Sequence, residues 1–448
     1  MNKNITYIIL LFFFVSVTAF VIIRYKLKEA KLKNATYPLI ERKGVSAVSV
    51  EWQSTKTTAQ QLINQLERNP KDSKSAIALA SLYVQEGRIT GNYIYYDAAA
   101  MKYINTVLEN EPDNFQALTL KSLLYMSQHH FSDGLAIAEK AQKLNPYNGL
   151  IYGLLVDGNV ETGNYPSAVR NSDSMVSIRP DIRSYSRISY LREIYGDYPG
   201  AIEAMKLAVS AGGQGDEPTE WTRIQLARLY ENTGDLKSAE MNYMIALEER
   251  PGYGYATAGL GHITMASKDY SKAISYYETA AGILNDYAIQ EQLSQLYRLN
   301  GNTKKADSVL TIIIDGMNRD GKKGQQDENI GHYADRELAY AYLLKNDNEN
   351  ALKHALIEYG RRPDNIDVNQ TVAWVYYKMK EYNKALPYLK VALKTNCKNP
   401  ILLCNAGLIY AKTNQTILAK STLEEALKNN PNIDPELKAE SENVLKTL

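Results

Sequence analysis

The sequence predicts an all-α solenoid of about ten stacked helical hairpins, on three observations. Prolines recur on one period: Pro112, Pro146 and Pro180 are spaced by 34 residues, and Pro363 and Pro431 by 68. Small side chains recur on the same period in two columns. Each period holds two stretches with apolar residues at i, i+3, i+4 and i+7, the spacing of one helix face. A fixed period marks an array in which no unit buries both its faces alone, so each must stack on the next. The composition is that of a folded chain: 448 residues, 45% apolar and 23% charged, with two cysteines, which excludes a disordered or disulfide-framed protein.

The first element is apolar. Ile5 to Ile23 carries no charged side chain over 19 residues, and about 20 such residues in a helix span a hydrocarbon core. The run exceeds the 7–15 apolar residues of a signal peptide, so residues 1–33 are expected to form an uncleaved single-pass membrane anchor with a basic flank, Arg24, Lys26, Lys28, Lys31 and Lys33. That flank places the large domain in the cytoplasm by the positive-inside rule; the periplasmic side is the alternative, because long domains cross largely regardless of charge. Residues 34–54 read as an extended linker with a glycosylation sequon at Asn34-Ala35-Thr36. Beyond residue 40 the chain holds 45 basic and 49 acidic residues, a balance that argues against nucleic acid as a partner.

Residues 55–431 carry the array. Thr55 to Asn69 reads as a capping helix ahead of the first unit. Twelve positions before each closing residue stand Ala100, Gly134, Ala168, Ala201, Ala239, Ala273, Ala306, Ala351, Ala385 and Ala419. Twelve positions earlier, skipping the insertion in the first unit, stand Ala80, Ser122, Val156, Ser189, Ala227, Gly261, Ser294, Ala339, Ala373 and Gly407, with Val156 alone breaking the pattern. Small residues facing each other let two antiparallel helices approach closely. A Gly or Asn with a polar neighbour, as in Gly163-Asn164 and Gly234-Asp235, parts the two halves in the manner of a helix C-cap. The closing Pro cannot continue a helix and ends the second half. Three insertions interrupt the register: Ile89 to Tyr96, Gly212 to Gly215, and Gly316 to Asn329. Residues 432–448 read as a C-terminal capping helix with an apolar stripe at Leu437, Val444, Leu445 and Leu448.

Units such as Trp221 to Pro251 resemble tetratricopeptide repeats (TPRs): a small residue in helix A, an aromatic three later, Gly at the turn, Ala in helix B and a closing Pro. The resemblance runs over residues 71–431. It implies a right-handed superhelix whose concave groove is lined by helix A and takes peptides or helices of other proteins. Carried over by position, the groove-facing residues are Arg183, Tyr190, Arg228, His262, Met265, Gln295, Arg298, Arg336, Tyr340, Trp374 and Tyr377. Arginine forks suit carboxylates, so Arg183, Arg228, Arg298 and Arg336 either draw acidic segments into the groove or pair with Glu193, Glu231 and Glu291 on the same face.

No chemistry of the catalytic kind stands out. Gly316 to Lys323 matches most of a phosphate-binding loop, but Lys323 occupies the hydroxyl position and the preceding residues keep helix-B phase. His129, His130, His262, His332 and His354 are scattered, without a zinc-ligand spacing. The expected function is therefore a membrane-anchored scaffold that binds other proteins, with no cofactor, no metal and no enzymatic activity. The alternatives are an assembly factor for an envelope complex on the periplasmic side and an enzyme whose site is built from the insertions.

Overall fold

The small-residue columns meet face to face. The structure, a computed structural model, describes residues 3–33, 36–326 and 331–448. Among them are 23 α-helices and a short 3-10 turn, Gly44–Val48. Helix α1 spans Lys3–Lys33 and α2 Val50–Arg68. Ten hairpins follow: α3 Ser73–Thr90 with α4 Tyr93–Asn110; α5 Phe115–Ser127 with α6 Phe131–Leu144; α7 Gly149–Glu161 with α8 Tyr165–Ile178; α9 Ile182–Ile194 with α10 Tyr198–Ser210; α11 Glu217–Asn232 with α12 Leu236–Glu249; α13 Gly254–Ala266 with α14 Tyr270–Ile283; α15 Tyr287–Leu299 with α16 Thr303–Gln326; α17 Asp335–Leu344 with α18 Asn348–Arg361; α19 Ile366–Lys378 with α20 Tyr382–Ala392; and α21 Pro400–Lys412 with α22 Thr416–Asn429. Helix α23, Pro435–Leu445, covers the end. The chain is an all-α helical-repeat solenoid.

Every alanine of the helix-B column is fully buried. In three units the hydroxyl of the helix-A column donates to the carbonyl of its helix-B partner: Ser122 Oγ to Gly134 O at 2.7 Å, Ser189 Oγ to Ala201 O at 2.6 Å and Ser294 Oγ to Ala306 O at 2.9 Å. Close approach thus also satisfies the one polar atom it buries. At Gly407 a methyl group would meet Leu423 Cγ at 2.5 Å, so only hydrogen fits. Ala239→Leu, at a fully buried position, should cost about 1–3 kcal/mol by overpacking. Lys237→Leu, exposed two residues away, should change stability by less than about 0.5 kcal/mol. Paired urea melts check this, and equal midpoints for the two variants would contradict the packing.

Each hairpin turn carries one left-handed residue: Gly91, His129, Gly163, Gly196, Gly234, Lys268, Gly301, Asn346, Lys380 or Asn414. Many of the helix N-termini are capped by Asp or Asn, whose side chains accept the free N–H groups of the first turn. Asp181 accepts from Arg183 N and Ser184 N, and Asn365 from Asp367 N and Val368 N.

The insertions behave differently from one another. Ile89 to Tyr96 lengthens α3 and α4 around a tight turn at Gly91, and Gly316 to Gln326 continues α16 as helix. The phosphate-loop look-alike is therefore helical throughout. Residues 212–215 form a loop between α10 and α11. The last part of the third insertion, and Asn34 and Ala35 of the sequon, lie outside the described residues. Residues 36–43 run extended along the first hairpin: Tyr83 Oη donates to Tyr37 O and Tyr95 Oη to Pro38 O, each at 2.6 Å, and the buried Arg42 pairs with Glu86.

The expected membrane anchor is corrected. Among the described residues no helix is long and apolar enough to cross a membrane. Helix α1 carries the apolar run on as one helix through Arg24, Lys26, Lys28, Lys31 and Lys33. The single-pass localisation is thereby overturned, and membrane contact through the N-terminal helix is without support.

The solenoid also closes on itself. The turn of each of the first five hairpins meets the loop that leaves the hairpin five further on. Asn285 N donates to Thr90 O at 3.0 Å, and Tyr333 N to Gln128 O at 3.0 Å. Ile366 N donates to Tyr165 Oη at 3.0 Å, and Cys397 Sγ lies 3.7 Å from Glu193 O. A methyl on Gly234 would sit 3.4 Å from Asn429 O. Glu51, ahead of the first hairpin, binds Arg250 in the loop after the fifth at 3.0 Å. Consecutive turns of the spiral therefore share a seam. His129 and His130 lie in it: the His130 ring stacks on Tyr333 with centroids 4.0 Å apart, and His129 Nδ1 lies 2.8 Å from Tyr333 O. Burial, with His129 beside it, pushes the His332 imidazole down to about 3.

Candidate functional site: the lumen

Winding the hairpins with helix A inward leaves a lumen of about 960 Å³. Its wall is built from the first helices of hairpins four to ten, α9, α11, α13, α15, α17, α19 and α21, and is closed at one end by α23. Eight of the groove residues expected from the sequence line it: Tyr190, His262, Met265, Gln295, Arg298, Arg336, Tyr340 and Trp374. Arg228 lines an adjoining hollow of about 270 Å³ together with Tyr190 and Glu193. Arg183 lines neither; it sits in the first turn of α9 near Arg187, Arg179 and Arg88, and burial together with these cations lowers its pKa despite Asp181. Tyr377 is also absent from the lining. It is buried because α23 packs over that end of α19, and its hydroxyl donates to Glu440 Oε1 at 2.7 Å. Its ring stacks on Trp374 at 4.8 Å and holds that indole at the wall.

The four arginines are not arranged as an acid-seeking set, and no ion pair among the described residues joins them to Glu193, Glu231 or Glu291. Arg298 is engaged by Asp307 at 2.7 Å. Arg228 lies over the Trp221 ring at 5.9 Å, and Arg336 over Tyr340 at 5.7 Å. Glu231 accepts from Tyr243 Oη at 2.5 Å and contacts His262 Nδ1. Burial alone would lower the His262 pKa, but the charge and hydrogen bond of Glu231 hold it above the usual histidine value. Glu193 accepts from Asn232 Nδ2 at 3.1 Å. Desolvation would lower the Arg336 pKa, yet Asp367, Tyr340, Glu337 and Glu161 together raise it.

Counted by charge, the wall is acidic. Glu193, Glu231, Glu291, Asp367, Asp434, Glu436 and Glu440 face Arg298, Arg336 and Lys378. Burial first, and then the neighbouring Glu337, push Glu291 up to about 7 against the pull of Arg336. Among the described residues no group of His, Cys, Asp or Glu is arranged to hold a metal ion.

Residues 401–433, the last hairpin, match the tetratricopeptide repeat family. The match covers that hairpin alone; the chain as a whole is an all-α helical-repeat solenoid. A comparison with curated proteins finds no match. Solved structures similar to this solenoid include a tetratricopeptide repeat protein from Parabacteroides merdae, 15% identical, covering 55% of this chain and 94% of that one with a TM-score of 0.42. The Cut9–Hcn1 hetero-tetramer of the APC/C is 18% identical over 95% of this chain and 81% of that one, at 0.38. The human IFIT1 dimer with PPP-AAAA is 14% identical over 78% and 91%, at 0.42.

Part of the lumen escaped the sequence reading. Asp367, Gln370 and Lys378 flank Trp374 at helical spacing, so following the Trp374 face two turns back and one turn on would have found them. Asp434, Glu436 and Glu440 had no such signal, because the side of α23 that faces inward is decided by the packing of its Leu437, Val444 and Leu445 against the cluster that holds Tyr377, Leu408 and Ile409.

Proposed function

We propose that the chain is a protein-binding scaffold that holds a segment of a partner polypeptide inside its lumen. One observation carries the reading: a single cavity runs past the first helices of seven consecutive hairpins, and its wall presents rigid aromatic surface at Tyr190, Tyr340 and Trp374 between hydrogen-bonding groups. Stiff aromatic side chains give large contact area at low entropic cost, which is how protein-binding surfaces gain affinity. A cavity lined along seven consecutive first helices has the elongated form that suits an extended strand or one helix of a partner.

The test places a photo-crosslinking phenylalanine analogue at Tyr340 inside the lumen, or at Tyr147, which is 85% exposed outside it. The reading predicts discrete polypeptide adducts at Tyr340 that are absent at Tyr147. Equal yields, or adducts at Tyr147 alone, would refute it.

A further inference from the structure

The lumen has a sign, and the sign selects a ligand. Seven carboxylates in its wall stand against Arg298, Arg336 and Lys378. These cations have little left for a ligand. Arg298 is taken by Asp307 at 2.7 Å, and Lys378 lies 3.8 Å from Glu440 and 4.5 Å from the Trp374 ring. Asn405 lies in the same wall, is only 4% exposed, and its Oδ1 finds no hydrogen-bond partner. A buried acceptor left unpaired is costly, and a donor brought by a ligand would recover that cost. Carboxylates are therefore in surplus over cations in the wall, and Asn405 adds an unpaired acceptor, while the buried Arg336 Nε is an unpaired donor. Guanidinium and ammonium groups supply donors only, and the Trp374 face offers a cation a further favourable surface.

Resting on the scaffold reading above, we infer that the end of the lumen bounded by Asp367, Asn405, Glu436 and Glu440 takes a Lys- or Arg-bearing segment of the partner polypeptide. Breadth argues for a chain over a single cation, because the lumen of about 960 Å³ extends far beyond the carboxylate cluster to Tyr190 and Met265.

The test uses the full chain and fluorescence anisotropy with two labelled peptides, one alternating Arg with Ser and one alternating Glu with Ser. The Arg peptide should bind at least about tenfold more tightly, and less so as salt is raised. The double variant Asp367→Asn/Glu436→Gln should weaken it about tenfold, while Glu248→Gln, on the exposed side of α12, should leave it unchanged. Tighter binding of the Glu peptide, or indifference to the double variant, overturns the inference. Displacement of the Arg peptide by spermine at equal charge concentration would assign the site to a free polyamine, and also overturns it. If neither peptide binds while the Tyr340 adducts persist, the charge assignment fails and the scaffold reading stands.

Discussion

Gly163→Ala is expected to lower stability by about 2–5 kcal/mol, whereas Gly301→Ala lowers it by about 1–2 kcal/mol. Both glycines end helix A of their hairpins in the left-handed region, at φ 83° and φ 82°. A methyl group costs the same backbone strain at each, roughly 1–2 kcal/mol. Their surroundings differ. Around Gly301 nothing lies within 4 Å of the position a Cβ would take. At Gly163 that Cβ would sit 2.7 Å from Asp364 Cβ and closer still to the Asp364 carbonyl, in the next turn of the spiral. The neighbour is backbone, and it is held in place. Asn365 Nδ2 donates to Glu161 O at 3.1 Å, and Lys394 Nζ donates to Asp364 O at 2.5 Å and to Gly163 O at 3.4 Å. Overpacking there adds about 1–3 kcal/mol. Urea midpoints for the two variants measure the difference, and small-angle scattering should show the Gly163 variant alone expanding as the seam opens. Equal losses would mean that the seam does not bear on stability.

How much of this was legible in the sequence follows from the range of each interaction. The hairpins were legible because their determinants sit 12 residues apart: Ser189 and Ala201, or Ser294 and Ala306, meet within one unit and recur in the next. The inward face of helix A was legible for the same reason, which is why Tyr190, Gln295 and Trp374 fall in the lumen wall. The seam was not, because its partners are about 200 residues apart and each looks ordinary alone. Gly163 reads as a helix stop, His129 as a solvated turn and Cys397 as a missing proline; only the pitch of the spiral brings them to Asp364, Tyr333 and Glu193. The sign of the lumen was missed because arginines on one face were weighed without the carboxylates that α23 swings over the other. A stacked array held only by neighbouring units would unfold unit by unit. The seam ties hairpins one to five to hairpins six to ten, so an intact seam couples the two halves into a larger cooperative unit.

The strongest electrostatic tie across that seam is Arg362, and Arg362→Met should cost about 3–5 kcal/mol. Arg362 is only 6% exposed. Its Nε donates to Glu358 Oε1 at 2.6 Å, its Nη1 pairs with Glu161 of the neighbouring turn, and its guanidinium lies 4.4 Å from the centre of the Phe131 ring. Methionine keeps much of the apolar stem and removes the charge, so the loss reports on the two carboxylates left behind. Glu358 keeps Arg361 at 2.9 Å, but among the described residues Glu161 forms no second ion pair. An exposed pair such as Lys305 with Glu278 is the comparison, and its removal should cost no more than about 1 kcal/mol. The pH dependence has a definite sign. Burial already holds Glu161 above the ordinary carboxylate range, with Arg362 pulling it down; without Arg362 it rises further. A carboxylate with a raised folded pKa binds its proton more tightly in the folded protein, so stability is lost as pH rises through that value. The Arg362→Met deficit should therefore be larger at pH 8 than at pH 5, and adding Glu161→Gln should recover part of it at pH 8. A deficit that is small, or the same at both pH values and not rescued by Glu161→Gln, would show that the two turns of the spiral are held by packing alone.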